Sequence, residues 1–133
     1  MIRLEKQVGR FVKHCPCTPD VVPCGYYNLN LHTGCPFCCS YCILQAYLDT
    51  TEPIFFDNFG DLEKELEEVS GTHEYLRIGT GELTDSLALD HESGYSAKIL
   101  NIFETFPDIV FEFKTKSTQV DNIIQYAKTA PGK

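Results

Sequence analysis

The residues with the most chemistry in them lie in one short segment, Gly34-Cys35-Pro36-Phe37-Cys38-Cys39-Ser40-Tyr41-Cys42. Two metal-binding spacings overlap there. Cys35, Cys39 and Cys42 form C-x3-C-x2-C, which puts three thiolates on one tight loop. Three thiolates can hold three corners of a 4Fe–4S cluster and leave one iron open to a substrate or cofactor, as a four-cysteine site does not. Thiolates suit iron–sulfur clusters because they are soft and deprotonate on coordination. Read instead as two C-x2-C pairs, Cys35/Cys38 and Cys39/Cys42, the segment suits tetrahedral zinc. Cys15, Cys17, Cys24 or His32 would then supply further ligands. Cys38 separates the two readings: it is spare in the first and a ligand in the second.

All seven cysteines fall between positions 15 and 42. Met1 to Phe11 lacks the apolar stretch of a secretory leader, and an odd cysteine count argues against a disulfide framework. The expected compartment is therefore the reducing cytoplasm. A net charge of −8 disfavours a phosphate-tracking surface over the whole chain. Lys114 and Lys116 are the nearest thing to a basic patch. No apolar run reaches membrane-spanning length, so no membrane is expected. At 133 residues and 43% hydrophobic, the chain has the length of one domain and enough apolar residues for a core. Asp85, Asp90 and His91 can be read as an acid–base group, or as caps and turn ties in a Ser/Thr-rich loop.

These residues need elements to position them. The first 25 residues are rich in proline between Cys15 and Pro23 and read as an irregular segment. From residue 26 the pattern alternates strands and helices. Tyr26 to Thr33 is a strand, with Tyr27, Leu29 and Leu31 on one face and Tyr26, Asn28, Asn30 and His32 on the other. Ile43 to Leu48 is a short helical piece. Asp61 to Val69 is a helix with Leu62, Leu66 and Val69 on one stripe. Glu74 to Gly79 is a second strand, Ser96 to Phe106 a second helix, Ile109 to Lys116 a third strand, and Val120 to Ala127 a third helix. The order β-α-β-α-β-α predicts about three parallel βα units, an α/β fold covering 26–133. Each strand keeps one polar face. That suits a partial, open half-barrel whose concave side holds a ligand, or else a solvated sheet face.

The linked motifs resemble the radical S-adenosylmethionine (SAM) superfamily and, within it, the spore photoproduct lyase-like family. The matching segments are Cys15-Pro16-x-Thr18-Pro19, Cys24-Gly25-Tyr26, Cys35 to Tyr47, Ile78-Gly79-Thr80-Gly81-Glu82, Thr84 to His91, and Lys114-Thr115-Lys116. They run over roughly residues 12–118. The resemblance implies the N-terminal half of a radical SAM-type β/α barrel. It implies that Cys35, Cys39 and Cys42 ligate a 4Fe–4S cluster and that SAM chelates the open iron. Tyr41 would line the adenine site. Thr80, Gly81 and Glu82 would form a Thr-Gly-Glu variant of the element that receives the SAM amino group, and Lys116 would pair with the SAM carboxylate. The implied activity is reductive cleavage of SAM to a 5'-deoxyadenosyl radical, for repair of a nucleic-acid lesion. An electron donor such as flavodoxin or ferredoxin would be a partner.

Two departures bear on that activity. Family enzymes that reverse the lesion carry a hydrogen-donor cysteine near the end of the second strand, where this chain has Glu82. They also flank the last cluster cysteine with two tyrosines, where this chain has Tyr41 and Ile43. The other readings are a small zinc-binding structural or interaction module, and an inactive radical SAM fragment. A half-barrel also leaves the edge of the third strand unpaired, which predicts self-association through Phe111 to Thr115.

Overall fold

Tyr27, Leu29 and Leu31 alternate along the chain, and all three side chains are buried. In the computed structural model, which describes residues 2–71 and 75–130, this stretch is the hub of the main sheet. The strands are β1 (Arg3–Glu5), β2 (Val12–His14), β3 (Tyr26–Leu29), β4 (His32–Thr33), β5 (Ile54–Phe56), β6 (Leu76–Gly79) and β7 (Ile109–Glu112). The helices are α1 (Leu44–Tyr47), α2 (Phe59–Ser70), α3 (Asp90–Ser93), α4 (Tyr95–Phe103) and α5 (Asp121–Thr129). The main sheet has the order β2-β3-β6-β7. Strands β3, β6 and β7 are parallel, with Tyr26 opposite Arg77 and Gly79 opposite Glu112. This is the βα series the sequence predicts. Among the described residues the sheet is open, and no closed barrel forms.

The core lies under this sheet because the helical stripes point there. Leu62, Leu66 and Val69 of α2 join Ile99 and Phe103 of α4 in one cluster with Leu29, Ile78 and Ile109. Helix α5 buries no residue fully. It is tied to α4 through the Tyr126 hydroxyl, which donates to the Leu100 carbonyl and to Glu104.

Four sequence expectations change. The first 25 residues are not wholly irregular: β1 pairs parallel with β5, and β2 pairs antiparallel with β3. Three-residue strands carrying Arg3, Glu5, Lys13 and His14 show no hydrophobic alternation, although Val12 of β2 reaches the core. The expected strand over 26–33 is two strands. At Asn30 the chain leaves the main sheet, its N–H donating to the Phe11 carbonyl at 2.9 Å. His32 and Thr33 then join a second sheet of order β1-β5-β4. The third strand stops at Glu112, short of Lys116, because the next residues bond to a loop instead. The polar face of the first strand is neither solvated nor ligand-lining at Asn28, Asn30 and His32: all three are buried. The expected strand start at Glu74 lies outside the described residues.

One glycine makes the sheet face possible. Tyr26 lies across β6 so closely that a Cβ on Gly79 would sit 1.6 Å from the Tyr26 hydroxyl. Arg77 and Lys114 stand over the same ring, at 5.5 and 4.3 Å from its centroid. Among the described residues no helix is long and apolar enough to cross a membrane.

Candidate functional site

The cysteine loop follows β4, and two hydrogen bonds fix its entry. The Gly34 N–H donates to the Leu83 carbonyl at 3.2 Å, and the buried Thr84 hydroxyl donates to the Gly34 carbonyl at 2.7 Å. Beyond that point the loop makes mostly local bonds. The Cys42 N–H donates to the Cys39 carbonyl at 3.0 Å, and the Gln45 side-chain amide donates to the same carbonyl. Cys38 sits at φ +48°, a left-handed turn position. Cys35, Cys39 and Cys42 are half-buried and Cys38 is exposed.

The opposite wall comes from the loops after β6 and β7. Gly81 has φ +90°, and a Cβ there would meet Ser86 Oγ at 2.8 Å, so the turn requires glycine. Thr80 Oγ1 and Ser86 Oγ are 2.6 Å apart. The Lys114 N–H donates to Ser86 Oγ at 3.1 Å, and the Ser86 N–H donates to the Lys114 carbonyl at 3.2 Å. The Asp85 carboxylate accepts from the Lys116 N–H at 2.7 Å, the Thr115 hydroxyl at 2.6 Å and the Leu87 N–H at 3.0 Å. These bonds clamp the Lys116 backbone against the Gly81–Glu82 turn.

Between the walls lies a cavity of about 530 Å³. It is lined by Cys35, Cys38, Cys39 and Cys42 on one side, and by Gly81, Glu82, Asp85 and Lys116 on the other. That volume falls in the range of roughly 300–1,000 Å³ found for small-molecule sites. The Lys116 ammonium stands 5.7 Å from the Tyr41 ring centroid, a contact that spans the two walls.

The sequence-predicted residues divide as follows. Cys35, Cys39, Cys42, Gly81, Glu82 and Lys116 share the cavity. Thr80 is buried behind it, bonded to Ser86. Tyr41 is 75% exposed at the rim and does not line the cavity. Asp85 and Asp90 are structural ties: Asp90 accepts from the Ser96 N–H and hydroxyl and from the Asn122 amide. His91 pairs with Glu92 instead. His32 is stacked on Phe55 at 4.3 Å and buried, so it offers nothing to the loop thiols. Sequence reasoning missed Thr84 and Gln45, which shape the loop, and the clamping role of Ser86. The Thr84-Asp85-Ser86 run was the available signal, because such residues tie turns through their side chains.

Comparison with solved structures decides what this arrangement resembles. A spore photoproduct lyase complexed with dinucleoside spore photoproduct superposes with a TM-score of 0.75 and 21% identity over 92% of this chain and 35% of that one. The chain shares part of the spore photoproduct lyase fold. A mutant of that lyase with bound S-adenosylmethionine and the dinucleoside gives a TM-score of 0.67 and 23% identity, over 84% of this chain and 33% of that one. The chain thus spans about a third of the length of the lyase structures it matches. No family model matches the chain, and no curated protein matches it.

Among the described residues, no group of three or more His, Cys, Asp and Glu side chains is arranged to hold a metal ion. The donor set nevertheless fits an iron–sulfur cluster. Soft thiols line one cavity, on a loop whose ties are mostly local. A carboxylate and an ammonium lie on the facing wall, as the amino-acid end of SAM requires.

Proposed function

We propose that this chain is the cofactor-binding part of a radical SAM enzyme of the spore photoproduct lyase type, acting on a nucleic-acid lesion. The observation that supports it is the cavity that joins the Cys35–Cys42 loop to Gly81, Glu82 and Lys116. Cys35, Cys39 and Cys42 hold the 4Fe–4S cluster, and Cys38 is spare. Glu82 accepts the ammonium of SAM, and Gly81 lets the backbone come close to it. Lys116 pairs with the SAM carboxylate, its backbone held by Asp85. Thr80 supports the turn from behind, and Tyr41 closes the rim over Lys116. When bound, cluster and SAM supply a 5'-deoxyadenosyl radical after one-electron reduction; the chain's residues orient them and exclude water.

Residues 26–133 carry the site, and β1 and β2 brace it. The lesion substrate is proposed from the dinucleoside held by the related structures. A small reduced electron-transfer protein such as flavodoxin or ferredoxin is the proposed donor. The unpaired edge of β7 is proposed to pair with another copy.

The test is anaerobic. The protein is reconstituted with iron and sulfide and reduced, and its EPR spectrum is recorded with and without SAM. A reduced-cluster signal that changes shape on adding SAM is expected. Folded protein that takes up zinc but no iron and sulfide, or a cluster signal indifferent to SAM, overturns the reading.

A further inference from the structure

The cavity's cysteines are arranged by two consecutive tight turns. Pro36 and Phe37 form the first, with Cys35 and Cys38 at its corners. Ser40 and Tyr41 form the second, with Cys39 and Cys42 at its corners, closed by the Cys42 N–H donating to the Cys39 carbonyl at 3.0 Å. A tight turn holds the α-carbons of its two corners within about 7 Å. A disulfide needs about 4.4–6.8 Å between them. The first turn therefore brings Cys35 and Cys38 to a separation that a disulfide spans.

The other partners for Cys38 fit less well. Cys39 is its neighbour in the chain, and consecutive α-carbons stand only about 3.8 Å apart, too close for an ordinary bridge. Cys42 is drawn to Cys39 by the second turn, whose first corner is also held by the Gln45 side-chain amide. Cys38 is spare on the proposed function, yet the chain places it at φ +48°, where glycine or asparagine sits with less strain. A cysteine kept at such a position points to a use for its side chain. Its thiol is exposed, that of Cys35 is half-buried, and both line the same cavity.

We infer that Cys35 and Cys38 are a reversible dithiol–disulfide pair, a redox-modification site that locks the cluster-free loop. The oxidant is a small-molecule disulfide of the glutathione class. The Cys38 thiolate, the more exposed of the two, attacks it, forms a mixed disulfide and releases one small thiolate. The Cys35 thiolate then attacks the Cys38 sulfur and releases the second. Two protein thiols are oxidised, one small disulfide is reduced to two thiols, and the cysteine protons pass to the departing thiolates. Excess small thiol runs both steps backwards. A disulfide that closes so short and exposed a loop gains little from loop closure and belongs to the labile, regulatory kind. The pairing stands on the turn. Its consequence rests on the proposed function: with Cys35 bridged, the cluster lacks one of its three thiolates.

The test uses the full chain, stripped of metal and fully reduced. It is equilibrated anaerobically in graded mixtures of oxidised and reduced glutathione and quenched with an alkylating agent. It is then cut after Phe37 and Tyr41 for mass spectrometry. Cys35 and Cys38 are expected to lose alkylation together, with the peptide ending at Phe37 linked to the one beginning at Cys38. Cys39→Ser is expected to keep that link, and Cys38→Ser to leave Cys35 unlinked. Cys35 alkylated in every mixture, glutathione adducts without a link, or a link that survives Cys38→Ser overturns the proposal. A chain first loaded with iron and sulfide and freed of the excess is expected to resist bridging. Equal bridging in loaded and unloaded chains overturns the lock. A chain that does not load counts against the cluster reading alone, because the thiol map decides the pairing without it.

Discussion

The two walls of the cavity are built on opposite plans. The wall that carries Gly81, Glu82 and Lys116 is stitched in advance. Asp85 and Ser86 bond across to the backbone after β7, Thr80 bonds to Ser86 and to the Glu112 carbonyl, and Asp85 is only 8% exposed. The wall that carries the thiols is pinned at its entry by Thr84 and Leu83, and beyond that mostly bonds to itself. A cofactor's polar groups need fixed partners, because orientation costs least when it is built beforehand. Metal ligands can be gathered by the metal, because coordination releases enough free energy to order a short loop. On the proposed function, the stitched wall reads the ligand and the loose wall waits for the cluster.

The largest expected effect separates the walls outright. Replacing Cys35, Cys39 and Cys42 by alanine should abolish iron and sulfide uptake. It should leave the urea midpoint of the metal-free protein nearly unchanged, since these side chains bury little and tie nothing. Cys38→Ala should leave cluster uptake intact. A large loss of apo stability in the triple variant would show that the loop is as structural as the wall it faces.

Asp85→Ala is the converse. It strips partners from the Lys116 and Leu87 N–H groups and from the Thr115 hydroxyl. Unmet donors cost about 1–3 kcal/mol each when buried, and two of these three are only part-buried, so a loss at the low end, about 3 kcal/mol in all, is expected in urea unfolding. SAM affinity should fall as well, because Lys116 is released. A variant that keeps its stability but loses SAM binding would make Asp85 a ligand contact and not a clamp.

These two plans were unequally visible in the sequence. The thiol loop announces itself by residue type and spacing, which mark Cys35, Cys39 and Cys42 but leave zinc as well as iron–sulfur open, whereas Glu82 and Lys116 were named only by the family resemblance. The parallel strands β3, β6 and β7 were legible because Leu62, Leu66, Ile99 and Phe103 mark the helices between them at helical spacing. The second sheet was not, because β1, β4 and β5 are two or three residues long and carry no period. Nor was the burial of Asn28, Asn30 and His32. An alternating polar residue looks solvated until the chain is seen to bend at Asn30 and turn that face inward. Tyr41 was placed on the ligand by resemblance, whereas the geometry puts it at the rim, over Lys116.

The third prediction probes the layer under the stitched wall. His32 is buried against Phe55 with no hydrogen-bond partner at Nδ1, and Ser86, Asp85 and Asp90 lie within electrostatic reach. Burial lowers its pKa from 6.5 to about 4, and the two carboxylates only partly offset this. The folded protein therefore keeps the ring neutral in a range where the unfolded chain protonates it. Stability should be full above pH 6.5 and fall as pH drops from 6.5 to about 4. The loss should approach about 3 kcal/mol, at roughly 1.4 kcal/mol per pH unit. Urea midpoints across that range should show the slope, and His32→Phe should flatten it. An unchanged slope in the variant would assign the acid sensitivity to carboxylates elsewhere.

The smallest effect is expected where the sheet carries its most conspicuous charges. Arg77 donates to Glu112 through Nη2 at 2.6 Å and Nε at 3.1 Å, but the pair is 49% and 31% exposed. The guanidinium hydrogen bonds hold the Glu112 carboxyl below its usual range. At this exposure solvent screens most of the interaction, and an exposed pair contributes about 0–1 kcal/mol. Arg77→Ala should therefore cost less than about 1 kcal/mol, and the cost should shrink further in high salt. Measured beside Asp85→Ala, it asks what stiffens the stitched wall. A large, salt-sensitive loss would mean that surface charge across β6 and β7 does so. A small one leaves the bonds of Asp85, which are less exposed than that ion pair, as the reason that side of the cavity is in place before any ligand arrives.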